Sequence, residues 1–155
     1  MGKENSCCFS GNREVPSGVR KLLSETTAEK ICELYEKGYT DFYAGGAIGF
    51  DEIAEEAVLF CKKAGLKIKL HIIVPFRGQS SKWSPEQKKK YEDLLKEADE
   101  VVVLSEEYTK YCFHVRNRYM VDNSSAIIYY SRKDTGGTAS TVAYAKKKGL
   151  FEIAL

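Results

Sequence analysis

Glycines, hydroxyl side chains and arginines recur together along this chain, and the chemistry they share is recognition of anionic groups. Five such clusters stand out: Ser10-Gly11-Asn12-Arg13; Gly45-Gly46-Ala47-Ile48-Gly49-Phe50-Asp51; Arg77-Gly78-Gln79 with Trp83 close behind; Ser105 with the segment 108–118; and Ser131-Arg132 followed by Thr135-Gly136-Gly137-Thr138. In Gly45–Asp51 the glycines let backbone approach a phosphate or ribose, and the helix that follows offers unpaired N–H groups to an anion. Asp51 either binds ribose hydroxyls or serves as a plain N-cap. The run 135–141, with Gly136, Gly137, Thr138 and Thr141, is a second glycine-to-helix junction suited to cradle an anion. Neither junction is a Walker motif. Ala44 stands where a dinucleotide fingerprint has its first glycine, and no acidic residue closes the third strand, so a conventional NAD site is weakly supported. Arginine suits bidentate phosphate recognition; of Arg13, Arg77, Arg116, Arg118 and Arg132, the first choices are Arg13 and Arg116. Trp83 offers a surface for stacking on a base, against the plainer alternative of packing.

What positions these clusters is an alternation of short apolar runs and amphipathic segments, the pattern of βαβ units. Candidate strands are 7–10, 41–44, 68–74, 100–104, 126–130 and 151–154. Most are continuously apolar, as in a parallel sheet covered on both faces. Thr26 with Glu29 has capping-box spacing and predicts a helix start, with Gly38 ending that helix. Further helices are expected over about 51–64, from Ser84-Pro85-Glu86-Gln87 to Ala98, and from near Thr138 to Gly149. The fold class is therefore α/β, a Rossmann-like three-layer αβα domain spanning 1–155, with a mainly parallel sheet of about six strands. Every cluster above follows a strand, and ligands of open α/β sheets bind outside the carboxyl ends of the strands.

Composition narrows the partners. With 24 basic and 22 acidic side chains among 155 residues the formal charge is +2, which gives no electrostatic reason to expect nucleic acid as a partner. Five cysteines, without CxxC or Cys/His ligand spacing, argue against a disulfide framework or structural zinc and fit a reducing, cytoplasmic setting. No metal site and no obligatory cofactor is expected. His71, in an apolar run, reads as a satisfied structural histidine. No stretch is long enough to span a bilayer, and the N-terminus lacks a secretory h-region. Met1-Gly2-Lys3-Glu4-Asn5-Ser6 fits the short myristoylation pattern, against which the first core strand begins almost at once.

Residues 7–13 (Cys-Cys-Phe-Ser-Gly-Asn-Arg) resemble the opening strand and turn of the YpsA-like branch of the SLOG superfamily. Gly45–Asp51, Gly78-Gln79 with Trp83, residues 98–102, Arg116-Asn117-Arg118-Tyr119-Met120-Val121-Asp122 and Gly136-Gly137-Thr138-Ala139 continue the resemblance in order. The superfamily includes DprA, the Lonely Guy phosphoribohydrolases and sensors of nucleotide-derived signals, and it often forms dimers or larger assemblies. The resemblance implies a Rossmann-like fold, a nucleotide-type ligand bound by these segments, and a homo-oligomer among the partners. Two departures bear on activity. Asn12 stands where the branch commonly has histidine, and Ala143 falls where Lonely Guy enzymes carry the glutamate of PGGxGTxxE. The leading expectation is therefore binding, as sensor or store, of a phosphorylated nucleotide derivative such as an ADP-ribose or NAD relative, without clear catalytic machinery. The alternatives are a nucleotide N-glycosidase, with Asp51, Glu52 or Asp122 replacing the missing carboxylate, and a regulatory interaction protein with a vestigial site.

Overall fold

The computed structural model describes residues 2–155; Met1, where the acylation pattern begins, lies outside the described residues. Six strands, β1 (Ser6–Gly11), β2 (Asp41–Ala44), β3 (Lys69–Val74), β4 (Glu100–Val103), β5 (Ala126–Tyr130) and β6 (Phe151–Ala154), alternate with five helices: α1 (Arg20–Glu36), α2 (Phe50–Lys63), α3 (Pro85–Glu97), α4 (Cys112–Asp122) and α5 (Gly137–Lys147). The sheet has the order β4-β3-β2-β1-β5-β6, and every neighbouring pair is parallel. The chain first builds outward from β1 to β4, then returns to lay β5 on the other side of β1. The switch point therefore lies between β1 and β5.

Strand alternation divides the core into two layers. Phe9, Phe42, Leu70, Ile72 and Ile128 pack against α1, α2 and α3, whereas Cys8, Ile73 and Ile127 pack against Met120 and Val121 of α4 and Val142 and Ala145 of α5. The central strands are buried on both faces. Coverage thins at β4 and β6, where the end positions Glu100, Phe151 and Ala154 are exposed.

Two helices differ from the sequence expectation. α1 begins at Arg20, six residues before Thr26, after a 3₁₀ turn over Ser17–Val19. Thr26 and Glu29 therefore lie inside the helix, where the neighbouring Thr27 hydroxyl donates to the Leu23 carbonyl at 2.6 Å. α4 was not anticipated at all: its sequence CFHVRNRYMVD is rich in aromatic, β-branched and polar residues and has a weak apolar stripe. The helix is held by tertiary packing, with Cys112, Arg116, Met120 and Val121 buried along it.

At the amino-terminal ends of the strands, His71 joins three neighbours. Its Nδ1 lies 2.6 Å from Glu100 Oε1, its Nε2 lies 2.7 Å from Asp41 Oδ1, and its ring stacks on Tyr43 at 4.5 Å. This is a structural role, laced across β2, β3 and β4 at the end of the sheet remote from the clusters. His71→Leu is expected to cost about 2 kcal/mol in urea unfolding, because it strips the semi-buried Asp41 carboxylate of its imidazole partner.

Candidate functional site

At the switch point, the loops after β1 and β5 enclose a cavity of about 310 Å³. One wall is Ser10, Gly11, Asn12 and Arg13; another is Lys133, Thr135, Gly136, Gly137 and Thr138. Asp51 of α2 and Phe113, Arg116, Asn117 and Met120 of α4 complete it, with Phe9 and Ala47 at its floor.

Asn12 holds this junction together. Its carbonyl accepts from Phe50 N at the start of α2, at 3.0 Å, and its amide N donates to the Tyr130 carbonyl of β5, at 3.3 Å. Its side-chain oxygen accepts from Arg132 N at 2.7 Å, and its Nδ2 donates to the Thr138 hydroxyl at 3.4 Å. A side chain committed to positioning is what the asparagine contributes here. Gly11 is required beside it, because a Cβ would lie 2.5 Å from Cβ and Cγ of Phe50.

The two glycine-to-helix junctions differ. In the Gly45–Asp51 turn several N–H groups are already used: Gly46 donates to Glu55, Ala47 to Asp51 and Gly49 to Glu52, all from the helix that follows. With Phe50 N engaged by Asn12, four amides of the turn are taken by the protein itself, which weighs against the expected anion cradle there. The reason is local: α2 carries acidic side chains at positions that reach back to its own N-terminus. The N-terminus of α5 is the reverse case. Gly136, at φ 101°, leads into a helix with no side-chain cap, and nothing lies within 4 Å of the Cβ positions of Gly136 or Gly137. The amides of Gly137, Thr138 and Ala139 have no acceptor within their own helix.

Burial shifts the titration of the groups around Asp51. Arg116 is 6% exposed, and its Nη1 donates to the Gly45 carbonyl while Nε donates to Asn117 Oδ1 at 2.8 Å. Desolvation holds the guanidinium below its ordinary pKa, opposed by the nearby Asp51 carboxylate. Burial likewise raises the Asp51 carboxyl, while Arg116 and the Ala47 amide pull it down. Glu55, 1% exposed, is pushed well above the usual glutamate range by burial and then by Asp51. A carboxyl raised on folding contributes stability below its unfolded pKa and loses it as pH rises through the folded value. Glu55→Gln keeps an acceptor for Gly46 N and removes that titration. The variant is expected to be more stable than the parent at pH 7–8 and to lose part of the parent's decline above its unfolded pKa, read by urea unfolding across pH.

Phe113, absent from the sequence-derived site, is an aromatic surface of the cavity. The guanidinium carbons of Arg13 and Arg116 lie 5.3 and 5.8 Å from its ring centroid. Phe76 and Tyr108 meet the same ring edge-on at 6.1 and 6.4 Å. It escaped notice because α4 itself was not read as a helix. Lys133, equally missed, sits in the post-strand segment that already drew attention to Arg132.

Several expected site residues are placed elsewhere. Arg77 is exposed and bidentate to Glu106 at 2.7 and 2.9 Å. Gln79 is buried, donating to the Gly46 carbonyl and the Tyr91 hydroxyl at 3.4 Å each. Trp83 packs edge-on against Tyr91 at 5.2 Å instead of facing the cavity. Asp122, at the far end of α4, accepts from the Tyr144 hydroxyl at 2.8 Å, and the Thr141 hydroxyl bonds back to the Gly137 carbonyl at 2.8 Å within α5. Gly45, Gly46 and Gly49 lie behind the cavity wall, packed against Arg116, Tyr91 and the Arg13 backbone respectively.

The YspA SLOG family model matches residues 10–152, from the end of β1 into β6, and so takes in all of the cavity lining except Phe9. The chain belongs to the YspA SLOG family. Consistent with this family, it is 35% identical over 118 residues to the SPbeta prophage-derived protein YoqJ of Bacillus subtilis, covering 68% of this chain and 69% of that protein. Among solved structures it is similar to DNA processing protein A (DprA) from Streptococcus pneumoniae, with a TM-score of 0.71 and 19% identity over 97% of this chain and 50% of that one. DNA processing protein A from Helicobacter pylori, described for its unique single-stranded DNA binding mode, gives a TM-score of 0.59 and 19% identity, covering 97% of this chain and 65% of that one. This chain thus spans half to two thirds of those proteins, and at such identities they share its fold. They also overturn the exclusion of nucleic acid drawn from net charge. A near-neutral total describes the whole chain, whereas binding depends on where the cations gather, and a protein of this fold binds single-stranded DNA. No helix among the described residues is long and apolar enough to cross a membrane.

Proposed function

We propose that this SLOG protein binds a nucleoside phosphate in the switch-point cavity, the phosphate on the N-terminus of α5 and the base against Phe113. The observation that carries the reading is one cavity combining an uncapped helix N-terminus, arginines and an aromatic ring. Arg13, Arg116 and Lys133 have no carboxylate within 4.0 Å among the described residues, whereas Arg77 is paired. Arg116 is fixed by Gly45 and Asn117, so it is preorganised rather than recruited. The test is a thermal-shift and calorimetric titration with AMP, adenine and inorganic phosphate. AMP at about a hundred times its Kd adds about 2.7 kcal/mol of stability, and Phe113→Ala weakens AMP more than phosphate. A protein indifferent to AMP and to other nucleoside monophosphates overturns the reading.

A second reading, hydrolysis of the N-glycosidic bond, is favoured by one observation: Asp51 is the carboxylate that lines the cavity, and burial raises its pKa. Glu52 instead bonds Gly49 N, and Asp122 lies at the far end of α4. Base released from AMP by the wild type and not by Asp51→Asn supports this reading; AMP recovered intact after saturation counts against it.

A further inference from the structure

The cavity does not end at Lys133. A second cleft of about 520 Å³ opens beside it, lined by Asn12, Arg13, Glu14, Arg132 and Lys133. The two spaces share Asn12, Arg13 and Lys133. The cleft therefore gathers three cations against one carboxylate, in a chain whose total charge is only +2. Among the described residues none of the three has a carboxylate within 4.0 Å, although most lysines of α2 and α3 are paired across helices or along them. The floor is rigid: Asn12 Oδ1 holds Arg132 N at 2.7 Å, and the Ser131 hydroxyl donates to the Lys133 carbonyl at 2.8 Å. No apolar or aromatic side chain lines it, so nothing there receives a base.

Building on the proposed nucleoside phosphate site, we infer that this cleft is a subsite for a second phosphoryl group, so that the ligand carries at least two phosphates. Mutually repelling cations held on a fixed floor are relieved when an anion enters between them. The shared Arg13 and Lys133 span the first and second phosphates, and Arg132 serves the second alone. Two sources have this chemistry: a nucleoside diphosphate group, or the next phosphodiester of a single strand.

The experiment measures the affinity of the whole protein for AMP, ADP and the dinucleotide pdApdA by calorimetry, with Arg132→Glu as the variant. Arg132 lines the second cleft and not the switch-point cavity, and the bond from its backbone N to Asn12 survives substitution. On the wild type, ADP or pdApdA binds about tenfold tighter than AMP, the gain of one charge-assisted contact. In Arg132→Glu that advantage disappears while AMP affinity holds. A gain with ADP identifies a diphosphate ligand, and a gain with pdApdA alone identifies a strand; either supports the subsite. If AMP binds and neither longer ligand gains, or if the gain survives Arg132→Glu, the subsite is overturned and the nucleoside phosphate site stands. If AMP, ADP and pdApdA all fail to bind, the underlying site itself is wrong.

Discussion

Replacing Gly49 by alanine is expected to cost about 3 kcal/mol or more of folding stability and to displace Arg13 from the cavity. Gly49 has φ 84°, a conformation that costs an L side chain about 1–3 kcal/mol. A Cβ at that position would lie 2.5 Å from the carbonyl carbon of Arg13 and 2.6 Å from the carbonyl oxygen of Asn12. Both obstacles are backbone, so no rotamer change relieves them, and overpacking adds about 1–3 kcal/mol more. Relief requires the turn after β1 to move, and that turn carries Asn12 and Arg13. The variant should therefore show a lowered urea midpoint together with loss of nucleotide binding beyond what its stability loss explains. A Gly49→Ala protein with the stability and affinity of the parent would mean that the turn after β1 and the start of α2 are not in contact as described.

Arg116→Met is the second substitution with a large expected effect, about 3 kcal/mol at neutral pH. The guanidinium is buried between the Gly45 carbonyl and Asn117, and its charge acts on the buried Asp51 carboxyl more strongly than that of Arg13. Removing it leaves the Gly45 carbonyl without that donor and Asp51 without its main opposing charge. Asp51 then rises further on folding, so the penalty is smallest in acid, where both folded and unfolded forms are protonated, and grows as pH climbs. Adding Asp51→Asn to Arg116→Met recovers part of the loss, and a double-mutant cycle in urea at pH 5 and pH 8 reads the coupling. A cycle with no coupling at either pH would show that the two groups do not sense each other.

The edge of the sheet that carries the site was legible because strand-following clusters of glycine, hydroxyl and arginine mark it in one dimension. Ser10–Arg13 and Gly136–Thr138 lie in different βα units, yet the order of strands makes them neighbours across the switch point. Other parts were not legible, for reasons that are three-dimensional. The Gly45–Asp51 turn has the composition of an anion cradle, but Glu55, nine positions after Gly46, folds back into it. Counting glycines cannot show that an amide is already taken. Phe113 was hidden because α4 has only a weak apolar stripe and is stabilised by what it packs against. Trp83 was drawn toward the ligand by its chemistry and away from it by Tyr91.

The most direct test uses Gly137→Asp. Gly137 is the first residue of α5, its φ is ordinary for an L residue, and its Cβ position is open. A carboxylate there complements the helix dipole and replaces glycine with a better helix former, adding about 0.5–1 kcal/mol. The same carboxylate occupies the amides and repels a phosphate. The expected result of paired thermal melting and AMP calorimetry is a protein as stable as the parent or more so, with nucleotide binding abolished. A Gly137→Asp protein that binds AMP like the parent would contradict the placement of the phosphate on α5.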